Sequence, residues 1–330
     1  MSRFKVVVAT LDTDELPEWV AQELKNADID LVHRECASRE DVQSCAADAD
    51  IVWLFGGSRC LIGNLDVLKR CGAIIRTGSG TDNVPVDEAT RRGIVVVNTP
   101  EAISEIVAEH AIALLFAVIR EIPVQDRAVR QGVWDRDTAM PKYHVSGETL
   151  GVIGFGHIAR AVVRKLSGFK MRVIVADPFI DDSAMAELGA EKADFDTVLS
   201  EAQFLTVHVP LVESTRQLIG AREFGLMKPS AVFVNTSRGP VVDETALYEA
   251  LSSGQIAAAA IDVTEKEPPN ADNPLLQLPN IVVTPHIAAY SDIQLERLWR
   301  FSVDSVLDLA NGRWPRSYVN HDVKPKWDLT

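Results

Sequence analysis

A short apolar run, a glycine-rich turn and an amphipathic segment follow one another between Thr149 and Asp177, and no other feature of the sequence restricts the fold as much. Residues 150–153 suit a buried parallel strand. Gly154 and Gly156 then begin the pattern G-x-G-x-x-A, in which the first glycine allows a tight turn and the second lets a pyrophosphate approach the backbone. The pattern predicts a strand–turn–helix unit that binds a dinucleotide.

The residues after the glycines have the spacing of a helix that packs on this strand. Ala159 is the small third residue of the pattern, which lets the helix come close to the strand. The first amides of the helix, at His157 and Ile158, face a bound phosphate in such a unit. A second predicted strand, residues 172–176, ends at Asp177, where an acid accepts hydrogen bonds from ribose hydroxyls. Residues 178–182 contain no Arg or Lys to bind a 2′-phosphate, which favours NAD as the cofactor.

Length, composition and charge exclude several classes of protein. A chain of 330 residues with 47% hydrophobic and 24% charged residues is typical of a globular protein with two domains. A net charge of −14 without a basic run argues against binding to nucleic acid. We also expect no signal peptide, no run long enough to span a membrane and no metal site, and we expect a cytoplasmic protein. The cysteines lack C-x-x-C spacing and are predicted to be reduced thiols; they are Cys36, Cys45, Cys60 and Cys71.

Strand and helix patterns alternate along both parts of the chain, which predicts an α/β fold with two Rossmann-like parallel-sheet domains. Two glycine-rich loops, residues 55–59 and 76–83, either approach a ligand with their amides or are plain turns. A helix is predicted over residues 16–24. Further strands are predicted over residues 5–9, 29–33, 51–55, 73–76, 94–97, 204–209, 231–235, 257–261 and 281–284.

Two long helices are predicted outside this alternation. Residues 101–120 are apolar around nearly the whole circumference, so this helix must be buried on all sides. A second subunit is a natural cover for one side, and burial within a single chain is the alternative. Ser291, with Gln294 three residues later, is predicted to cap a final helix that returns to the first domain and ends near residues 311–312. Residues 320–330 are predicted to be a loose tail.

Three residues with reactive side chains, Arg238, Glu267 and His286, follow the ends of late predicted strands. Singly, they are compatible with a surface ion pair, a solvated acid and a core histidine. Ligands of parallel α/β sheets bind at the carboxyl ends of the strands, so together they indicate a site beside the dinucleotide. Reduction of a ketone by hydride builds negative charge on the carbonyl oxygen. A guanidinium polarises that oxygen, and an imidazolium held by a carboxylate supplies the proton.

The segments around these residues resemble the signature segments of the D-isomer-specific 2-hydroxyacid dehydrogenases. They are residues 234–243, 262–268 and 284–287, and the residues 98–100 and 107–110 match further segments of that family. The resemblance spans about residues 51 to 287. It implies a discontinuous substrate domain, residues 1–100 and 288–330, with the NAD-binding domain, residues 101–287, inserted. It also implies a homodimer formed through the helix of residues 101–120.

The resemblance implies a role for each matching residue. Arg238 would bind the carboxylate and carbonyl of the substrate, Glu267 would assist, and His286 would be the acid/base. Asp262 would lie near the nicotinamide amide, and Pro210 and Thr236 are further candidate cofactor contacts. The loop of Gly78, Ser79 and Gly80 would offer its amides to the substrate carboxylate.

Within the family, residues 76–83 and 147–156 are most similar to the C-terminal-binding-protein branch, which contains transcriptional corepressors that retain the dehydrogenase site. In that branch the arginine matching Arg76 reaches the substrate carboxylate. Ala289 departs from the branch, whose members have a tryptophan that contacts substrate there, and their long disordered tail has no counterpart in this sequence.

The sequence therefore predicts an NAD-dependent dehydrogenase that interconverts a 2-keto acid and its D-2-hydroxy acid. An NAD-sensing binding protein of the corepressor type is the alternative from another class. A dehydrogenase with another hydride donor, such as phosphite or formate, is a third possibility, which Arg76 disfavours because phosphite-oxidising relatives have lysine there. The sequence specifies neither the keto acid nor the direction. Arg59 either binds a second anionic group of the substrate or points to solvent.

Overall fold

Strands and helices alternate throughout the computed structural model, which describes residues 4–10, 16–136 and 143–330. The strands are β1 Phe4–Thr10, β2 Ile29–Glu35, β3 Ile51–Leu54, β4 Ala73–Arg76, β5 Val95–Asn98, β6 Thr149–Ile153, β7 Arg172–Ala176, β8 Ala190–Lys192, β9 Phe204–Val207, β10 Val232–Asn235, β11 Ala258–Ile261 and β12 Ile281–Val283. The α-helices are α1 Glu18–Asn26, α2 Arg39–Cys45, α3 Val86–Arg91, α4 Pro100–Ile119, α5 Ile122–Arg130, α6 His157–Leu166, α7 Asp182–Ala186, α8 Phe195–Glu201, α9 Ala221–Leu226, α10 Glu244–Ser252 and α11 Gln294–Ala310.

The chain divides into two compact units. The first unit combines Met1–Ile103 with Ser291–Thr330, and the second is Ser104–Tyr290. The predicted domain boundaries lie after residues 100 and 287. In the structure both boundaries lie three residues later. The assignment of the first unit to substrate binding stays a prediction.

The sheet of the first unit has five parallel strands in the order β2-β1-β3-β4-β5. This is the strand order of flavodoxin-like doubly wound domains. The last helix, α11, belongs to this unit, as predicted, and its apolar side packs on the sheet. Trp299 of α11 lies with its ring centroid 5.1 Å from that of Trp53 and 4.3 Å from that of Phe55, so aromatic contacts join the end of the chain to β3 and the residue after it.

The prediction of a loose tail over residues 320–330 is wrong. The Asn320 side chain accepts a hydrogen bond from the Val96 amide at 2.8 Å, and the Lys326 amide donates to the Gly93 carbonyl at 3.0 Å. Trp327 covers Gly72 so closely that an added Cβ would lie 2.2 Å from the indole ring. The segment is therefore docked on the first unit, and these partners, far away along the chain, leave no local pattern in the sequence.

The sheet of the second unit has seven parallel strands in the order β12-β11-β10-β9-β6-β7-β8. The strand order reverses between β6 and β9, where Rossmann domains bind their ligand. The glycine-rich turn follows β6 and therefore lies at this reversal. The predicted class, two Rossmann-like parallel-sheet domains, is confirmed. The short edge strand β8 was not predicted.

The helix α4 is buried mainly by its own chain. Of its large apolar side chains, only Ile112 and Phe116 are half-buried, and those at the other positions are less than 9% exposed. By length and composition α4 could cross a membrane, which corrects the expectation that no run is long enough; 61% of its most apolar window is buried inside the structure, as in the core helix of a soluble protein. The argument that a twin subunit must cover half of this helix is therefore weaker than the sequence suggested.

The start of α11 also differs from the prediction. The helix begins at Gln294 and its N-cap residue is Ile293, which has no side-chain capping bond. Ser291 Oγ instead accepts a hydrogen bond from the Ile293 amide at 3.3 Å, two residues on. The predicted capping box is wrong because the chain makes a local turn at Ser291 before the helix starts. The helix ends as predicted, with Gly312 in a left-handed conformation at φ +70°.

Candidate active site

The glycine-rich turn has the geometry that its pattern predicts. Gly154 has φ +84°, and a Cβ on it would lie 2.8 Å from the His208 carbonyl oxygen, so only glycine fits. A Cβ on Gly156 would meet no atom within 4 Å, which leaves open space where a phosphate would lie. Ala159 is fully buried in the core under α6. The first glycine therefore serves the turn, and the second keeps the approach to α6 clear.

Asp177 lies at the end of β7 and binds the turn directly. Its Oδ2 accepts a hydrogen bond from the Phe155 amide at 2.7 Å, and its Oδ1 accepts one from the Phe179 amide at 2.8 Å. A carboxylate has about four acceptor positions, so two remain for ribose hydroxyls. The structure thus gives Asp177 a second role, fixing the turn, that the sequence pattern did not indicate.

Two further features of the second unit suit a bound dinucleotide: the first turn of α6 and two buried polar atoms. His157 and Ile158 begin α6, and His157 is exposed. Among the described residues, two buried side-chain atoms have no hydrogen-bond partner, Thr236 Oγ1 and His208 Nδ1. Burial lowers the pKa of His208 to about 4, so this ring is neutral near pH 7. A buried hydroxyl without a partner, directly after β10, has the donor and acceptor capacity that a bound cofactor amide requires.

Most of the remaining predicted cofactor and catalytic residues follow three neighbouring strands of the same sheet. Arg238 follows β10, Glu267 follows β11 and His286 follows β12. Since all strands are parallel, these residues lie at the edge of the sheet that also carries the glycine-rich turn. Pro210 follows β9 at the same edge and is exposed.

His286 and Glu267 are in direct contact. The distance between His286 Nδ1 and Glu267 Oε2 is 2.6 Å, and the two side chains are 45% and 38% exposed. Glu267 is held in turn by the Thr264 amide, which donates to Oε1 at 3.3 Å. With Nδ1 bonded to the carboxylate, Nε2 is the nitrogen from which His286 can exchange a proton with a ligand. The predicted pair of acid/base and assisting carboxylate is therefore assembled in the structure.

Asp262 holds the loop that carries His286. Its Oδ1 accepts a hydrogen bond from the Ile287 amide at 3.0 Å, and its Oδ2 accepts one from the Ala288 amide at 2.8 Å. The carbonyl oxygen of Asp262 accepts the His286 amide at 2.8 Å. His286 itself has φ +55°, a conformation that non-glycine residues seldom adopt without such support. The resemblance implies that Asp262 lies near the nicotinamide amide, which stays a prediction; in the structure its carboxylate binds this loop.

Thr284 and His110 extend the same cluster, and sequence reasoning gave neither of them a role. The Thr284 hydroxyl donates to Asp262 Oδ1 at 2.6 Å, and His110 Nε2 lies 3.1 Å from Thr284 Oγ1 and 3.5 Å from Asp262 Oδ1. Because the Thr284 proton points to Asp262, His110 Nε2 must carry a hydrogen to bond Oγ1. Burial raises the pKa of Asp262, but these hydrogen bonds outweigh it and the net pKa is below the ordinary value. The only signal in the sequence was that both residues lie in the family-like segments.

The backbone after Arg238 packs directly on the loop that precedes Glu267. A Cβ added to Gly239 would lie 1.9 Å from the Thr264 carbonyl oxygen, so no other residue fits there. Arg238 Nη1 donates to the Ser237 carbonyl at 2.7 Å, and Asn235 fixes the turn through its side chain. Gly239 thus sets the spacing between the two loops that carry Arg238 and Glu267, a function that a single glycine in the sequence does not reveal.

The predicted substrate residues of the first unit lie at the end of β4 and in the loop that follows it. Arg76 Nε donates to Asn83 Oδ1 at 3.2 Å, and the side chain of Asn98 donates to the Ser79 carbonyl at 2.9 Å. Gly78 has φ +117°, and its amide is already bonded to Thr99 Oγ1 at 2.7 Å. Gly78 is therefore a turn residue. The part of Arg76, Gly78, Ser79 and Gly80 in binding a substrate stays a prediction.

Arg59 is largely exposed, with 68% of its side chain accessible, and its Nη2 lies 4.0 Å from Asp82 Oδ2. This exposed, 4.0 Å ion pair is weak, so it does not indicate whether Arg59 binds a substrate anion or points to solvent. In the part of the chain that the structure describes, no three His, Cys, Asp or Glu side chains are placed to hold a metal ion.

A family model and curated relatives match the second unit and much of the chain. Residues 112–288 match the model of the D-isomer specific 2-hydroxyacid dehydrogenase, NAD binding domain. A glyoxylate reductase of Korarchaeum cryptofilum is 42% identical over 247 residues, 74% of this chain and 74% of that protein. A D-3-phosphoglycerate dehydrogenase of Archaeoglobus fulgidus is 43% identical over 256 residues, but the match spans only 48% of that protein.

Solved structures agree over almost the full chain. A glyoxylate reductase from Paecilomyes thermophila has a TM-score of 0.86 and 26% identity, covering 97% of this chain and 99% of its own. D-lactate dehydrogenase from Aquifex aeolicus, complexed with NAD and lactic acid, has a TM-score of 0.84 and 26% identity, covering 95% and 99%. These comparisons do not show the C-terminal-binding-protein branch that the sequence resembles, so the corepressor alternative gains nothing from them.

Proposed function

We propose a function from one premise: this chain belongs to the D-isomer-specific 2-hydroxyacid dehydrogenase family. It is proposed to be an NAD-dependent dehydrogenase that interconverts a small 2-keto acid and its D-2-hydroxy acid. The observation that carries this proposal is the 2.6 Å contact between His286 and Glu267, at the sheet edge that also carries Arg238, after the neighbouring strand β10, and the glycine-rich turn.

The relatives narrow the proposed substrate class. The match to the glyoxylate reductase of Korarchaeum cryptofilum covers 74% of that protein, whereas the match to the D-3-phosphoglycerate dehydrogenase of Archaeoglobus fulgidus covers about half of it. A hydroxypyruvate reductase of Thermotoga maritima is covered to 92%, at 35% identity. Glyoxylate and hydroxypyruvate are therefore the first substrates that we propose.

The cofactor would be held by residues at the sheet edge of the second unit. Gly156 and the first amides of α6 would face the pyrophosphate and Asp177 the ribose, while Asp262 would lie near the nicotinamide amide and Thr236 would be a further cofactor contact. When bound, NADH supplies the hydride that reduces the carbonyl carbon. The acid at Asp177, with no arginine or lysine among residues 178–182, supports NAD rather than NADP, although related structures include complexes with NADPH and with NADP.

The residues of the chain would perform the rest of the reaction. The Arg238 guanidinium is proposed to bind the substrate carboxylate and to stabilise the negative charge that develops on the carbonyl oxygen. His286 donates the proton from Nε2 to that oxygen during reduction and accepts it back during oxidation. Glu267 keeps Nδ1 protonated, orients the ring and stabilises its charged form.

A homodimer and a cytoplasmic location are also part of the proposal. The second unit exposes a set of apolar side chains on and after α5, here called the α5 face: Ile122, Val124, Val129, Val133 and Trp134, which are 40% to 80% exposed. Several exposed apolar side chains within one short segment support a subunit interface there. The cytoplasmic location is supported by the cysteines, which are free thiols in the structure.

The test is a screen of NADH oxidation with glyoxylate, hydroxypyruvate, pyruvate and oxaloacetate, and of NAD⁺ reduction with D-3-phosphoglycerate. His286→Asn is the key variant, because asparagine tolerates positive φ and should preserve the loop. We expect glyoxylate or hydroxypyruvate to be reduced, and this variant to lose about a hundredfold or more in kcat. His321→Asn, which changes a histidine of the first unit whose ring lies against Tyr318, is the control and should keep full activity.

Absence of NADH oxidation with every keto acid would contradict the proposal. Full activity of the His286→Asn variant would contradict the role assigned to His286. A higher kcat/KM for D-3-phosphoglycerate oxidation than for reduction of any keto acid tested would replace the proposed substrate class by a phosphorylated hydroxy acid.

A further inference from the structure

Two thiols of the first unit lie within reach of each other. Cys36 directly follows β2, and Cys45 is the last residue of α2. Their Sγ atoms are 2.9 Å apart, nine positions along the chain. We propose that Cys36 and Cys45 form an oxidation site, which a peroxide converts into an intrachain disulfide. The sequence predicted four reduced thiols, and only the fold singles out this pair.

The geometry needs little change to form the bond. A disulfide has an S–S distance of about 2.05 Å, so the sulfur atoms must approach by roughly 0.9 Å. The Cys36 side chain is fully buried, whereas Cys45 is partly exposed. An oxidant from solvent therefore reaches Cys45 first, and the buried Cys36 is the second thiol of the disulfide.

The partial exposure of Cys45 and the hydrogen bond between the two thiols together make Cys45 the reactive one. The Cys36 thiol stabilises the thiolate of Cys45, which outweighs the opposing effect of burial and lowers the pKa of Cys45 below its ordinary value. Of the charges nearby, Asp41 opposes the thiolate and Lys5, with a smaller effect, favours it. The same interaction raises the pKa of Cys36, which stays protonated. A partly exposed thiolate beside a second thiol is the arrangement that peroxide-sensitive cysteines share.

The chemistry balances in two steps with a peroxide as the oxidant. The Cys45 thiolate attacks one oxygen of hydrogen peroxide, the O–O bond breaks, hydroxide leaves, and Cys45 becomes a sulfenic acid. The sulfur of Cys36 then attacks the Cys45 sulfur, the S–O bond breaks, and the thiol proton leaves with the hydroxyl group as water. The two cysteines together lose two electrons to the peroxide, and a thiol reductant restores them.

The other two cysteines are internal controls. Cys60 is 4% exposed and burial raises its pKa. Cys71 is fully buried, donates to the Ala73 carbonyl at 3.2 Å, and burial raises its pKa to about 12. Both are protonated thiols at neutral pH and should react slowly.

A chain of hydrogen bonds connects the oxidation site with Arg76. Ser58, also fully buried, donates through Oγ to the Cys36 carbonyl at 3.5 Å. Its own carbonyl accepts the Asn83 side chain at 2.7 Å, and Asn83 Oδ1 accepts Arg76 Nε at 3.2 Å. Formation of the disulfide shifts Cys36 and with it this chain. The effect on substrate binding rests on the proposed function, in which Arg76 binds the substrate carboxylate.

Oxidation is tested first by mass, without any substrate. The reduced protein is treated with hydrogen peroxide, unfolded and alkylated, in wild type, in Cys45→Ser and in the control Cys71→Ala. We expect wild type and Cys71→Ala each to lose two alkylatable thiols to one Cys36–Cys45 linkage, at a rate that rises with pH as the Cys45 thiol ionises. Cys45→Ser should keep its three thiols. Four alkylated thiols in treated wild type, or a linkage between chains or to another cysteine, would overturn the proposal.

The connection to Arg76 has its own readouts. Hydrogen exchange of residues 55–60 and 76–83 should change about twofold or more on oxidation of wild type, and not in Cys45→Ser. In the enzyme assay, oxidation should raise KM about two- to tenfold, the range that corresponds to one lost hydrogen bond, with little change in kcat. Unchanged exchange would overturn this connection even where the disulfide forms. If no keto acid is reduced, the proposed function fails. The mass measurement still tests whether the disulfide forms, and hydrogen exchange still tests its connection to Arg76.

Discussion

Glu267 is the single side chain whose charge most directly controls His286, since the two are 2.6 Å apart. Reduction requires the protonated imidazole and so falls as the pH rises. Glu267→Gln removes the negative charge that stabilises this form but keeps an oxygen for Nδ1. The pH at which reduction falls to half should therefore be lower in the variant than in wild type. Oxidation should rise over the same shifted range.

The measurement is the paired pH profile of kcat/KM for wild type and variant. Glu265→Gln is the control, because this acid contacts the Glu244 amide and belongs to the same loop. Its profile should match wild type. Coinciding profiles for wild type and Glu267→Gln would mean that Glu267 has no influence on the protonation of His286.

Asp177 should decide between the two forms of the cofactor. Its carboxylate would bind the ribose hydroxyls and repel a 2′-phosphate, so kcat/KM should be at least about tenfold higher with NADH than with NADPH, a difference of about 1.4 kcal/mol. Asp177→Asn keeps one acceptor for the Phe155 or Phe179 amide and should reduce this ratio. Equal kcat/KM values for the two cofactors with wild type would contradict the prediction.

The loop after β12 depends on Asp262, which joins it to the end of β11. Asp262→Asn retains a single acceptor oxygen and turns an NH₂ group toward a backbone amide, so one buried amide loses its partner. The free energy of unfolding should fall by about 1–3 kcal/mol, and kcat should fall with it because His286 loses its support. Asp243→Asn is the control, since asparagine caps α10 as well as aspartate does.

The contribution of Asp262 to the free energy of unfolding should also depend on pH. The folded-state pKa of Asp262 is lowered, so its contribution to stability is present above its unfolded value of about 3.9 and is lost as the pH falls through the lower folded value. Asp262→Asn should lack this part of the loss below about pH 4. Urea unfolding at several pH values measures it, and an unchanged acid response in the variant would assign the response to other groups.

The contact between the loops after β10 and β11 depends on Gly239, because a glycine has no side chain. Gly239→Ala places a Cβ 1.9 Å from the Thr264 carbonyl oxygen, so the loops must separate. We expect a loss of about 1–3 kcal/mol in unfolding free energy and a clear fall in kcat, because Arg238 and Glu267 move apart. Gly168→Ala, where a Cβ would meet nothing within 4 Å, is the control. Equal stability of the two variants would show that the loops adjust without cost.

The sequence predicted these elements better than it predicted the contacts between them. The glycine-rich turn and the strands around it have strong local patterns, and β4 and β7 begin and end as expected. The hydrogen bonds of Asp262 reach residues 22 to 26 positions away, and its sequence neighbourhood gives no sign of them. The partners of Asn320 are more than 220 positions away, which is why the docked tail was missed.

The subunit assembly should depend on the α5 face. A charged group at its centre opposes burial of that face, so Val129→Asp should convert a dimer to a monomer in light scattering at micromolar concentration. Val212→Asp is the control, because Val212 is equally exposed, at 49%, elsewhere in the second unit. A monomeric wild type, or a dimer that survives Val129→Asp, would contradict this assignment of the interface.

The way the first unit is assembled from distant segments has a consequence for synthesis on the ribosome. Its five strands are translated first, yet α11 and the docked segment of Trp327 come last. Until they emerge, the surfaces around Trp53 and Gly72 stay uncovered, while the whole of the second unit, lying in between, has already been made. The second unit therefore has the opportunity to fold first, and the nascent first unit needs protection from aggregation for most of translation.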